Sequence, residues 1–125
     1  MAEEQPPPAV AEPLIPLSNT FNGIVTHYGV QYNGRPLGCG TGHYASDNPS
    51  IAAVGPSRYR EWPCGTLIRV CGPTDCVDTV RQDACPGCGP NHIDLSEAGI
   101  AVVCGEGASL CRVQVQAFAK PRQSH

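Results

Sequence analysis

The sequence predicts a small all-β domain closed into a barrel and held by disulfides, and three observations carry that expectation. The first is eight cysteines in 125 residues. Cys39, Cys64, Cys71, Cys76, Cys85, Cys88, Cys104 and Cys111 form an even set in a chain rich in glycine and proline, with no lysine before Lys120, as in an oxidised, exported scaffold. The second is a set of short apolar or alternating runs, each bounded by glycine, proline or aspartate. The third is the unequal spacing of those runs, which suits a closed barrel better than a sandwich. A domain of this size buries only about two-thirds of the surface its unfolded chain exposes, so covalent staples matter to its stability.

Taken in chain order, residues 1–19 are proline-rich, carry three glutamates and few large apolar side chains, and read as a disordered spacer. The folded domain is expected over residues 20–119. Strands are expected at Gly23 to Tyr28, Thr66 to Cys71, Cys76 to Gln82 and Cys111 to Phe118. The last alternates most cleanly, which places its valines and Phe118 inward. Cys71-Gly-Pro-Thr-Asp-Cys76 reads as a hairpin turn pinned by its own cysteines. Two stretches read as helical: a short turn around Ser50 to Val54, and Ser96 to about Val103 with Ser96 as N-cap. Residues 120–125 read as a frayed tail.

Eight cysteines allow more connectivities than a sequence can choose among. Proximity along the chain suggests four bridges between neighbours: Cys39 with Cys64, Cys71 with Cys76, Cys85 with Cys88, and Cys104 with Cys111. A zinc site using Cys85, Cys88, Cys71 and Cys76 is the alternative, but it leaves four thiols over; no metal and no cofactor are expected. The formal charge of −3 is spread without a basic face, which argues against nucleic acid and anionic lipid as partners. No run approaches the roughly 20 apolar residues of a membrane span, and the first residues lack the basic and apolar regions of a signal peptide. Disulfides without a signal imply that a signal or anchor preceded Ala2 in a secreted or cell-surface precursor. A monomer is expected.

Two constellations carry candidate chemistry. In Thr26-His27-Tyr28-Gly29, Thr26 and Tyr28 are two apart and share one face of the opening strand, with His27 on the other. In Asp83-Ala-Cys-Pro-Gly-Cys-Gly-Pro-Asn-His-Ile-Asp94-Leu-Ser96, a carboxylate leaves a strand and a second one arrives just before a helix, so a tightened loop can return both to one place. Read blandly, Asp94 caps that helix and Asp83 satisfies loop amides.

Together these segments resemble expansins. Thr26-x-Tyr28-Gly29 is similar to the Thr-Trp-Tyr-Gly strand of that family, and His92-Ile93-Asp94 to its His-Phe-Asp motif, in which the aspartate is the required acid. The step from Asp83 to Asp94 also resembles that of bacterial expansins, and Ile51-Ala-Ala-Val54, Cys64-Gly65-Thr66 and Val70-Cys71-Gly72 sit where the same barrel has similar segments. The resemblance implies a six-stranded double-psi β-barrel with one or two short helices. It further implies an open groove lined by Thr26, Tyr28, Asp83 and Asp94, with Asp94 and Asp83 as the functional acids. Barwin-like proteins, family 45 endoglucanases, rare lipoprotein A lytic transglycosylases and a microbial cysteine-protease inhibitor share the barrel, so the fold alone does not set the activity.

Inverting hydrolysis needs an acid and a base about 6.5 to 9.5 Å apart. Endoglucanases of this fold carry the base on the first strand, yet no Asp or Glu lies between Glu12 and Asp47. The transglycosylases use a glutamate in the loop after strand one and a histidine after paired alanines. Here the loop reads Gly40-Thr-Gly-His43-Tyr44 and Val54 follows Ala52-Ala53, so His43 is the sole stand-in. The expectation is therefore non-hydrolytic action on cell-wall polysaccharide, whether cellulose, another glucan or peptidoglycan. Thr26, Tyr28, Asp83 and Asp94 are expected to hydrogen-bond sugar hydroxyls, and Tyr32, Tyr44, Tyr59 and Trp62 are candidates for stacking on sugar faces. Full expansins add a sandwich domain that supplies most of the affinity; 125 residues leave no room for one, so weak binding is expected. The competing reading is a cysteine-protease inhibitor on the same barrel, which would use an exposed loop at Ala45 to Ser50 or Gly55 to Trp62.

Overall fold

The computed structural model describes residues 13–120. Six strands close into one barrel in the order β1-β5-β2-β4-β3-β6. They are β1 (Phe21–His27), β2 (Ile51–Val54), β3 (Leu67–Cys71), β4 (Cys76–Ala84), β5 (His92–Leu95) and β6 (Leu110–Phe118), and one helix, α1 (Glu97–Cys104), lies between β5 and β6. The pairs β1/β5 and β2/β4 run parallel, and the other four are antiparallel. Closure gives every strand two neighbours, which protects a small sheet from edge-to-edge association.

Inward positions follow the two-residue period. Val25, Ile68, Val70, Ile93, Leu95, Val113, Val115 and Ala117 fill the interior, and Ile100 and Val103 of α1 join the same cluster. Ser96 caps α1: its Oγ accepts from Gly99 N at 3.0 Å and donates to the Asn48 carbonyl at 2.6 Å. Gly105, at φ 101°, ends the helix where a side chain would be strained.

Two segments differ from the sequence expectation. Ile51–Val54 is a strand, not a helical turn. All four of its residues are buried, Ala52 and Val54 against the barrel interior and Ile51 in a second cluster with Leu37 and Tyr44. A strand covered on both faces loses the alternation that would announce it. Residues 13–19, expected to be a free spacer, lie along the end of β6 as far as they are described. Leu17 N donates to Ala117 O at 2.8 Å, Ala119 N to Ile15 O at 2.8 Å, and Ala117 N to Ser18 Oγ at 3.0 Å. β6 runs on past its pairing with Phe21, and the main-chain groups near its end need partners, which this strap supplies. The spacer expectation for residues 1–12 and the tail beyond Lys120 lie outside the described residues.

The four bridges pair as proximity suggests: Cys39–Cys64, Cys71–Cys76, Cys85–Cys88 and Cys104–Cys111. Cys39–Cys64 closes the longest loop, a separation of 25 residues. Cys85–Cys88 tightens the loop between β4 and β5, where Gly55 lies so close to the Cys88 carbonyl that a Cβ would collide with it.

Candidate functional site

Strand register assembles the site. Thr26 of β1 pairs with Asp94 of β5, Asp94 with Ala53 of β2, and Ala53 with Asp83 of β4. Four neighbouring strands thus present Thr26, Asp94, Ala53 and Asp83 in one row. Their chain neighbours Val25, Ile93, Leu95, Ala52 and Val54 point into the core, so the row lies on the outer face of the barrel.

Asp83 reaches that face because of a bulge. The register shifts between Ala52, paired with Arg81, and Ala53, paired with Asp83, leaving Gln82 as the extra residue. Without the bulge Asp83 would follow Thr79 and Arg81 inward, since a slip of one residue moves a side chain to the other face.

The two acids are held differently. Asp83 is fixed at both oxygens: Oδ1 accepts from Gly38 N at 2.7 Å, and Oδ2 from the Tyr28 hydroxyl at 3.1 Å. Asp94 accepts one bond, from the Thr26 hydroxyl at 2.8 Å. Burial pushes the Asp94 carboxyl above the usual range; the Thr26 bond and the nearby His92 and His27 rings pull it back, and Asp83 adds to the rise. Asp94 therefore retains its proton to higher pH than a carboxyl in water. The helix cap is Ser96, not Asp94, so Asp94 is free for a ligand.

The aromatic wall comes from the segment that follows β1. Tyr28 stacks on Tyr44 with ring centroids 4.1 Å apart, and Tyr32 stands tilted at 6.0 Å from Tyr28. Tyr44 donates its hydroxyl proton to the Tyr28 carbonyl, and burial pushes its phenol up to about 12. Tyr28 is raised further, by burial and then by Asp83, so both phenols stay protonated and donate. Tyr28, Tyr32, Arg35, Ala53, Asp83 and Asp94 border a cleft of about 420 Å³, with Pro36, Tyr44, Ala84, Cys85 and Pro86 completing its walls. A larger cleft of about 810 Å³ lies alongside, bordered by Asn22, Ile24, Asn91, His92 and Arg112.

Thr26, Tyr28, Asp83, Asp94 and Tyr32 are thus brought together. Two stacking candidates are not available to a ligand's face. Trp62 is 1% exposed, packed on Phe21 at 5.9 Å and covered by the Arg58 guanidinium at 4.3 Å, in the barrel core. Tyr44, 2% exposed, reaches the cleft wall only at an edge, because its ring is stacked against Tyr28. Large aromatics are scarce in this chain, and the core takes the largest of them. Tyr59 stands under the Arg81 guanidinium at 4.9 Å, away from the row, and His43 is an exposed loop residue.

Three contributors escaped the sequence reading. Gly38 anchors Asp83 through its main chain, and a Cβ there would come within 2.9 Å of Asp83 Oδ1. Ala53 is the small residue that leaves room between the acids. His92, whose Nε2 lies 2.7 Å from Thr26 Oγ1, shares the outer face with Asp94 by the same two-residue period, a signal present in the sequence.

No protein-family model matches the sequence, and no curated protein matches it. Solved structures do. The apo expansin of Clavibacter michiganensis matches with a TM-score of 0.69 at 27% identity over 84% of this chain and 53% of its own. A point mutant of that expansin in complex with cellohexaose matches with a TM-score of 0.70 at 25% identity, over 85% of this chain and 54% of its own. The Streptomyces papain inhibitor matches with a TM-score of 0.66 at 23% identity, over 84% of this chain and 98% of its own. The chain spans about half the length of the expansins it matches. These matches, with the closed six-stranded barrel, single α-helix and four disulfides, give the chain the double-psi β-barrel fold of the expansin-like, barwin-like proteins.

Proposed function

We propose that this barrel is secreted or held at a cell surface, binds a cell-wall β-glucan in its outer groove, and loosens the polymer without cutting it. The observation that carries the reading is the row Thr26-Asp94-Ala53-Asp83 under the Tyr28 and Tyr32 rings. Donors and acceptors for sugar hydroxyls lie beside an apolar wall for the sugar face, the usual make-up of a ligand cleft. The expansin bound to cellohexaose supports a glucan as the ligand class.

The same geometry favours binding over hydrolysis. Two strand spacings of about 4.8 Å separate Asp94 from Asp83, which is near the separation of an inverting pair. A general base must hold a water, however, and both Asp83 oxygens are taken, by an amide and by a phenol that keeps its proton. Asp83 serves as the anchor of Tyr28. Asp94 remains as a hydrogen-bonding acid that strains glucan contacts without a base to complete cleavage.

The test is a pull-down of wild type and Asp94→Ala on insoluble cellulose, xylan, chitin and peptidoglycan, with reducing-sugar release followed in parallel. Binding to cellulose that falls about tenfold or more in Asp94→Ala, with no sugar released by either protein, is expected. Sugar release by wild type would show that Asp83 or another group acts as a base.

A second reading, inhibition of a papain-like protease, is favoured by one observation: this chain spans nearly the whole of the Streptomyces inhibitor. The exposed residues Asp47 to Pro49, or Pro56 and Ser57, would then carry the contact. Inhibition of papain that survives Asp94→Ala, with no polysaccharide bound, selects this reading.

A further inference from the structure

The Thr26 hydroxyl stands between two titratable groups. Its oxygen lies 2.8 Å from Asp94 Oδ1 and 2.7 Å from His92 Nε2. A hydroxyl has one proton to donate, so it donates to one neighbour and accepts from the other. With Asp94 ionised, Thr26 donates to the carboxylate and accepts from His92 Nε2–H. With Asp94 protonated, the carboxyl donates to Thr26, and Thr26 donates to a bare Nε2.

We propose that His92 is a positioning residue which, through the Thr26 hydroxyl, sets whether Asp94 presents a carboxylate or a carboxylic acid to the ligand. The inference rests on the reading that Asp94 faces a polysaccharide, and it adds the group that governs the acid's state. The step balances without any other reactant. An imidazolium at His92 gives its Nε2 proton to Thr26 Oγ1, and Thr26 passes its own proton to Asp94 Oδ1. The ion pair becomes a neutral pair, and no proton enters or leaves.

The two ends of this chain open on different clefts. Asp94 borders the smaller one with Tyr28 and Tyr32, whereas His92 borders the larger one with Ile24, Asn91 and Arg112. A sugar lying over Asp94 therefore leaves the His92 end in contact with water. The facing groups give each state its bias. His27 of β1 and His92 of β5 favour the carboxylate at Asp94, and Asp83 of β4 opposes it. The carboxylate in turn acts on the Tyr28 and Tyr44 phenols, and Arg112 of β6 borders the larger cleft together with His92. Two groups coupled in this way titrate as a pair, each reporting both steps.

The test uses the free full chain, so its failure is distinct from failure of the polysaccharide reading, which the pull-down decides. Nuclear magnetic resonance titrations would follow the Asp94 carboxyl carbon and the His92 ring nitrogens in wild type, Thr26→Val, Thr26→Ser and His92→Gln. In wild type the two residues are expected to share both inflections. Thr26→Val should reduce each to a single inflection of its own, and Thr26→Ser, which keeps the hydroxyl, should restore the sharing. His92→Gln should move the Asp94 midpoint upward and remove its second step, an outcome that holds even if Thr26→Val does not fold. Independent single inflections in wild type, or an Asp94 titration indifferent to His92→Gln, would overturn the proposal.

Discussion

Asp94 carries the chemistry at the residue scale, and its environment makes a signed prediction. Burial raises its carboxyl in the folded state, so the folded protein binds the proton more tightly than the unfolded chain. Its contribution to stability is present in full below the ordinary carboxylate value and is lost as pH rises through the raised one. Asp94→Asn, which cannot ionise, should match wild type at acid pH and exceed it above that window. Thermal unfolding of both proteins between pH 3 and 8 checks this; equal pH profiles would mean that Asp94 titrates like a solvated acid. Tyr28→Phe keeps the stack on Tyr44 but removes the hydroxyl from Asp83. The expected cost is about 1.5 kcal/mol in urea unfolding, at the low end for a bond to a charged group because this 3.1 Å bond is only partly buried. The candidate acids were legible in the sequence from the resemblance and from the loop that joins them. The partner His92 was legible only in hindsight from its two-residue offset, and Gly38 acts through its main chain, which no side-chain pattern reveals.

The element that decides the site is the bulge between β2 and β4. It turns Asp83 outward, and no local signal in Val80-Arg81-Gln82-Asp83 announces it, because a bulge is a property of two strands together. β1, β3, β4 and β6 were legible because one face of each stays half exposed and keeps its alternation. β2 was not, since it is buried on both sides, and β5 is only four residues long. The strap at residues 13–19 was unreadable for a different reason: its proline-rich composition matches a spacer, and its order comes from β6. Gly55→Ala should destabilise the β2 end by about 1 to 3 kcal/mol, because the Cys88 carbonyl occupies the space a Cβ needs.

At the scale of the whole molecule, a closed barrel with a modest interior relies on covalent closure. The Cys39–Cys64 bridge ties the loop that carries Gly38 to the start of β3, so it bears on the site as well as the fold. Replacing both cysteines with serine should cost about 3 to 4 kcal/mol in the chain-entropy account and loosen the hold of Gly38 on Asp83. A shift in the urea midpoint would report the first effect and weakened glucan binding the second. Within the described residues no helix is long and apolar enough to cross a membrane, and no cluster of His, Cys, Asp and Glu is arranged to hold a metal ion. The proposal of glucan binding stands on the outer row of the barrel.

Titrating the isotope-labelled protein with cellohexaose and following backbone amide shifts tests that proposal most directly. Shifts concentrated at Thr26, Tyr28, Tyr32, Asp83 and Asp94, and abolished by Asp94→Ala, are the result the groove predicts. Shifts confined to the loops at Asp47 to Pro49 or Pro56 to Ser57, or none at millimolar sugar, would contradict it.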